Sequence, residues 1–131
     1  MKKLLSALCA ALTVVVLAVS LSACANALEG KRYIFSEIRV EYADGITQEQ
    51  RDRLDLIAEA NEAIYYNTTL EFFSDGTAKV GGRTVEYVID GDSVTLGGVD
   101  SFGSSYLISG NELISTSTSP LGTMTLIYER L

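Results

Sequence analysis

From Asn67 to the end of the chain, short β-type segments alternate with tight turns rich in glycine and aspartate. This regular alternation of strand segments and turns constrains the fold more than any other feature. The turns include Asp75-Gly76, Gly81-Gly82, Asp90-Gly91 and Gly110-Asn111. Short turns of this composition join antiparallel strands that are neighbours in a sheet. The region therefore predicts a meander of seven strands, over residues 68–73, 77–80, 84–89, 93–96, 106–108, 112–117 and 123–130.

A long strand is predicted before the meander, over residues 31–42. Its apolar residues change parity between Phe35 and Ile38, which predicts a β-bulge or a twist near Ser36. A long first strand and a long last strand are suited to pair with each other, and this pairing removes the sheet edges.

One amphipathic helix is predicted over residues 48–65, between the first two strands. Thr47 and Gln50 have the spacing of a capping box. An apolar stripe at helical spacing favours a lid or buttress packed against the sheet. The stripe comprises Leu54, Ile57, Ala58, Asn61, Ile64 and Tyr65. The remaining surface is net acidic, which disfavours binding to a membrane surface.

The predicted fold is therefore mainly β: an eight-stranded antiparallel up-and-down barrel with one amphipathic helix inserted between strands 1 and 2. A barrel of eight strands holds either a packed interior or one small ligand.

The first residues of the chain predict export. Lys2 and Lys3 precede an apolar run from Leu4 to Leu21, and small residues then lead to Cys24. A basic start, an apolar stretch and a small-residue exit make up a signal peptide. A membrane-spanning helix is the alternative, and it would also place the rest of the chain outside the cytoplasm.

Leu21-Ser22-Ala23-Cys24 resembles a bacterial lipobox. This resemblance implies cleavage before Cys24 and acylation of its sulfur, with palmitate or a similar chain. The expected organisation is a signal peptide (1–23), a lipidated cysteine with a short tether (24–30) and a barrel domain (31–131). We expect a monomer held at the extracytoplasmic face of a bacterial cell membrane through the lipid on Cys24.

The composition excludes several classes of function. The formal net charge is −7, and it becomes more negative when Lys2 and Lys3 leave with the signal, which argues against nucleic acid as a partner. The chain has no histidine, and its two cysteines are Cys9 in the signal and Cys24. The usual general base near neutral pH is therefore absent, and the mature chain would have no free thiol. We expect neither catalysis nor a metal or cofactor; Asp90-Gly91-Asp92 is interpreted as a turn rather than a calcium loop.

Among the seven tyrosines of the chain, Tyr42, Tyr87 and Tyr128 share parity with aliphatic neighbours. We therefore expect these three side chains to enter the barrel. They either fill the core, with hydroxyls that reach the barrel mouth, or line a pocket where phenols hydrogen-bond a small ligand. They are the candidate ligand-binding residues. The connection from Gly97 to Ser105 is the natural mouth or partner contact.

Four segments resemble the small bacterial lipocalin-like lipoproteins. They are Leu28-Glu29-Gly30-Lys31-Arg32-Tyr33, Leu70-Glu71-Phe72-Phe73-Ser74-Asp75-Gly76-Thr77, residues 87–96 (YVIDGDSVTL) and residues 106–113 (YLISGNEL). The resemblance implies a lipid-anchored barrel without catalytic activity. Two functions stay open: a cup for a small apolar or amphiphilic ligand, and a solid-core interaction or inhibitor protein that contacts an envelope partner through its surface.

Overall fold

The structure is a computed structural model that describes residues 27–131. The predicted signal peptide (1–23) and the predicted lipidation site Cys24 lie outside the described residues. Strands and helix follow one another as β1 (Arg32–Tyr42), α1 (Gln48–Tyr65), β2 (Thr69–Phe72), β3 (Thr77–Val80), β4 (Arg83–Asp90), β5 (Ser93–Leu96), β6 (Ser105–Ser109), β7 (Glu112–Ser119) and β8 (Gly122–Arg130).

The eight strands form a closed barrel in chain order, and every neighbouring pair is antiparallel. Closure comes from the two long strands, since β1 pairs with β8 from Tyr33–Arg130 to Tyr42–Gly122. The predicted barrel, with a single helix between its first two strands, is therefore confirmed.

A β-bulge in β1 lets both halves of the strand contribute to the core. The register with β8 shifts between Phe35 and Glu37, as predicted for Ser36. The extra residue reverses the parity, so Tyr33 and Phe35 pack in the main core and Ile38 follows on the same face.

The turns of the meander alternate between two ends of the barrel. We call one the closed end, with the turns 73–76, 91–92 and 110–111, and the other the mouth, with the turns 81–82, 97–104 and 120–121. At the closed end, Leu28 is 0% exposed and belongs to the main core. The Gly30 amide donates to the Phe72 carbonyl over 2.9 Å and holds this segment against β2. The segment expected as a tether (24–30) thus contributes a core residue.

Helix α1 covers one side of the mouth. The Gln50 amide donates to Thr47 Oγ1, and the Thr47 amide donates to Gln50 Oε1, which completes the predicted capping box. Leu54 and Ala58 are buried against Met124 of β8. The helix therefore lies over the part of the wall that β1 and β8 build.

Aromatic rings pack edge to face through the barrel interior. Tyr33 and Phe72 have ring centroids 5.9 Å apart, and Phe35 and Tyr128 have theirs 6.1 Å apart. Among residues 27–131, no buried side-chain nitrogen or oxygen lacks a hydrogen-bond partner. All strands and both hydrophobic clusters come from residues 28–131, so this segment contains the complete barrel and its core.

Candidate functional site

The three tyrosines predicted to enter the barrel, either as core residues or as the lining of a pocket, do not lie together around one pocket. Tyr128 lies in the core, Tyr87 lies half-buried on the inner face of β4, and Tyr42 lies outside the interior. The ring contacts among the described residues join Tyr128 to Phe35 and Tyr106, and Tyr87 to Phe72, but never two of the three predicted residues. Each of the three tyrosines therefore has a separate role.

Tyr128 is a core residue with a satisfied hydroxyl. Its ring meets Tyr106 edge to face at 5.7 Å, and only 1% of the residue is exposed. Thr68 Oγ1 donates to the Tyr65 carbonyl, so the Tyr128 hydroxyl acts as the donor to Thr68. Burial raises the pKa of Tyr128, because the phenolate would lose its hydration. This arrangement ties β8 to the end of α1.

Tyr87 points inward but toward the closed end. Its hydroxyl donates to the Phe73 carbonyl over 2.8 Å, and its ring meets Phe72 at 5.1 Å. Burial is the main cause that raises the pKa of Tyr87. The phenol therefore fastens the turn after β2 to the inner face of β4.

The expectation that Tyr42 enters the barrel is wrong. Tyr42 is 39% exposed, its hydroxyl donates to Asp55 Oδ1 over 2.6 Å, and the Arg51 guanidinium lies 5.3 Å from the ring centroid. The hydrogen bond to Asp55 is the main cause that raises the pKa of Tyr42. Parity places Tyr42 on the inner face, but it ends a strand whose last half pairs with β8 alone. It therefore contacts α1 instead of the interior.

An open cleft of about 410 Å³ lies at the mouth, beside the region that α1 covers. One wall is apolar and comes from the inner faces of β3, β4 and β5, namely Val80, Val85 and Leu96. The opposite wall comes from Tyr65, at the end of α1, and from residues of the 97–104 connection. We call this feature the mouth cleft; its volume is within the range of small-molecule sites, near the lower limit.

Arg83 stands at the rim of the mouth cleft. It is the first residue of β4 and pairs directly with Val80, while Val85 pairs with the fully buried Ala78. Side chains that pair directly lie on the same face of a sheet, so Arg83 belongs to the inward-facing row of β4. Within residues 27–131, the ion pairs join Arg39 to Glu37 and Arg53 to Glu49, and neither involves Arg83.

The 97–104 connection is held at its far end. The Gly103 amide donates to Ser115 Oγ over 3.0 Å, and the Tyr106 hydroxyl donates to the Gly103 carbonyl over 2.9 Å. Phe102 packs beneath α1 and meets the Tyr65 ring at 6.3 Å, whereas Val99 is exposed at the cleft. The sequence predicted this connection as a mouth or a partner contact, and in the structure several of its residues line the mouth cleft.

Tyr65 and Arg83 are the cleft residues that sequence reasoning did not single out. For Arg83 a signal existed, because it shares the parity of Val85, Tyr87 and Ile89 in β4. For Tyr65 the sequence indicated its place on the apolar stripe at the end of the helix, but no contact with the 97–104 connection. Its hydroxyl makes no hydrogen bond within residues 27–131 and lies against Gly103 at the cleft wall. Burial raises the pKa of Tyr65.

Comparisons with protein-family models, with curated proteins and with solved structures found no significant match for this chain. Across residues 27–131, no three acidic, histidine or cysteine side chains are grouped as metal ligands would be. The one helix in that range is too short or too polar to span a membrane.

Proposed function

We propose that the protein is an exported lipoprotein, anchored at the outer face of a bacterial cell membrane through an acylated Cys24. In this proposal the barrel binds a small apolar or amphiphilic molecule and catalyses no reaction. The observation that carries the proposal is the mouth cleft, a concave site with one apolar wall that the barrel strands and the 97–104 connection form together.

The packing of the barrel favours the cleft over a deep interior cavity. The interior below the mouth is filled with side chains. They include Tyr33, Phe72 and Leu113, which are almost completely buried. The mouth cleft lies above this core, where Leu96 and Val85 would contact a ligand. Ligand sites are typically apolar with a few placed polar groups, and Tyr65, Arg83 and Ser104 supply such groups here.

Native mass spectrometry tests the binding function. Residues 25–131 would be purified from a bacterial lysate, together with the variant Val85→Trp, whose larger side chain would occupy the cleft. We expect the wild-type domain to carry an extra mass that disappears on denaturation, and the variant to carry less of it. Equal extra mass on both proteins would place the ligand elsewhere.

Cell fractionation tests the anchor. The wild-type chain should sediment with membranes, and Cys24→Ala should abolish the acyl modification and the mature membrane-bound form. A conservative control is Cys9→Ala, which lies inside the apolar run. Unchanged membrane retention and mass of Cys24→Ala would contradict the lipoprotein assignment.

A second candidate function rests on the outer side of α1. Leu56 and Ile64 are 65% and 67% exposed, and Ile57 also faces solvent. Such exposure favours a solid-core interaction or inhibitor protein that docks an envelope partner on this helix. Crosslinking in cells from a photoreactive residue at position 56, with position 88 on β4 as the exposed control, would distinguish a specific partner from random contacts.

A further inference from the structure

We infer that the mouth cleft selects a small organic anion, with its anionic group at Arg83 and its apolar body against Val80, Val85 and Leu96. The inference rests on the proposed binding role of this cleft and adds the chemical class of the ligand. It depends on the direction, surroundings and pairing of one arginine.

The direction of Arg83 is unusual for a charged residue. In β4 the outward positions are Thr84, Glu86 and Val88, while Arg83 shares its row with Val85. A position in the outward row would keep the guanidinium away from the cleft. At the rim of the inward row, the guanidinium stands at the edge of an apolar cup and keeps contact with water.

The charge distribution around Arg83 favours an anion. The chain carries 17 acidic against 10 basic residues, yet no residue that lines the mouth cleft is acidic. No carboxylate within residues 27–131 forms an ion pair with Arg83. Its guanidinium can therefore offer paired donors to a carboxylate or a similar group.

The rest of the cleft suits the apolar part of such a ligand. Leu96 is buried at the base, and Val80 and Val85 flank it. The Tyr65 hydroxyl is available as a second donor from the opposite wall. A volume of about 410 Å³ accommodates a compact amphiphile and excludes most of a long lipid chain.

Two fluorescent probes separate the anionic contribution from the apolar one. 1-Anilinonaphthalene-8-sulfonate and N-phenyl-1-naphthylamine share the same aromatic body, and only the first carries a sulfonate. Binding of each to residues 25–131, a segment that contains the complete barrel, would be followed by fluorescence titration. We expect the wild-type protein to bind the anionic probe more tightly, with a preference that shrinks at high salt.

Four variants identify the residues that produce the preference for the anionic probe. Arg83→Gln should weaken binding of the sulfonate probe about tenfold and leave binding of the neutral probe unchanged. This loss is near the low end for charge-assisted hydrogen bonds, because Arg83 is exposed. Arg32→Gln removes an exposed arginine at the closed end and should change neither. Val85→Trp should weaken both probes; Ser104→Trp serves the same purpose from the 97–104 connection if Val85→Trp does not fold.

The outcomes separate this inference from the proposed function. If Arg83→Gln binds both probes as the wild type does, while the tryptophan variants lose both, the cleft is a binding site without anion selectivity. If folded tryptophan variants keep both probes, the cleft is not the site and both proposals fail. A wild-type protein that prefers the neutral probe, or binds neither, also overturns the inference.

Discussion

Replacing Gly103 by alanine tests how the 97–104 connection is held against α1. Gly103 has φ +80°, and a Cβ added there would overlap the Tyr65 hydroxyl and lie 2.8 Å from Tyr65 Cζ. Gly103→Ala should therefore lower the free energy of unfolding in two ways. Alanine is strained in a left-handed backbone conformation, and its Cβ would displace the Tyr65 ring.

The two costs can be separated with Gly98, which has φ +71° and nothing within 4 Å of an added Cβ. Gly98→Ala should therefore cost only the backbone strain, about 1–2 kcal/mol. Gly103→Ala should add the loss of the Tyr65–Phe102 edge contact, about 0.5–1.5 kcal/mol, and some burial of Tyr65. We expect Gly103→Ala to lose about 1–2 kcal/mol more of the free energy of unfolding than Gly98→Ala.

Urea unfolding of residues 25–131, followed by circular dichroism, measures both losses. Two further proteins, Tyr65→Leu alone and Tyr65→Leu combined with Gly103→Ala, complete a double-mutant cycle. In that background the penalty at Gly103 should fall to the value measured at Gly98. Equal losses for the two glycines, or an undiminished penalty without the Tyr65 ring, would refute the contact between Tyr65 and Gly103 as the cause of the extra loss of stability.

Three further predictions concern the core and the helix. Burial raises the pKa of Tyr106, so its phenol stays protonated in the folded state at a pH where it ionises in the unfolded chain. The contribution of Tyr106 to the free energy of unfolding should therefore be fully present below about pH 10 and decline above it. Tyr106→Phe should make this decline less steep when unfolding is measured at alkaline pH. Leu28→Ala should cost about 2–5 kcal/mol by opening a cavity at the closed end, whereas Leu107→Ala, at an exposed site, should cost far less in urea melts; similar losses would contradict the burial of Leu28. Thr47→Ala should cost about 1 kcal/mol through loss of the helix cap, and a thermal midpoint within error of the wild type would show that the cap is dispensable.

The barrel was predictable because its signals are local. Turns such as Asp90-Gly91 fix the antiparallel order of neighbouring strands, and the change of parity between Phe35 and Ile38 marks the bulge. Pairing of the first and last strands followed from their length and from the stability of a sheet without edges.

The position of each side chain along the barrel axis was less predictable. Tyr42 has the inward parity, but parity does not show that β1 continues past β2 and meets the helix there. Leu28 was assigned to the tether, because no local sequence pattern indicates that its side chain is buried at the closed end. The site has the same limitation. Arg83 could be assigned to the inner row, whereas the contact of Tyr65 with Gly103 depends on how the end of α1 and a glycine-rich connection meet in space.

The burial of Leu28 also determines the direction from which a ligand would arrive. With a lipid on Cys24, the four peptide steps between Cys24 and Leu28 span about 14 Å at most. The closed end would then rest on the bilayer, and the mouth cleft at the other end would open toward the aqueous phase. A ligand would therefore enter from solution rather than by lateral transfer out of the membrane, so the protein would sample the water-soluble pool of amphiphiles.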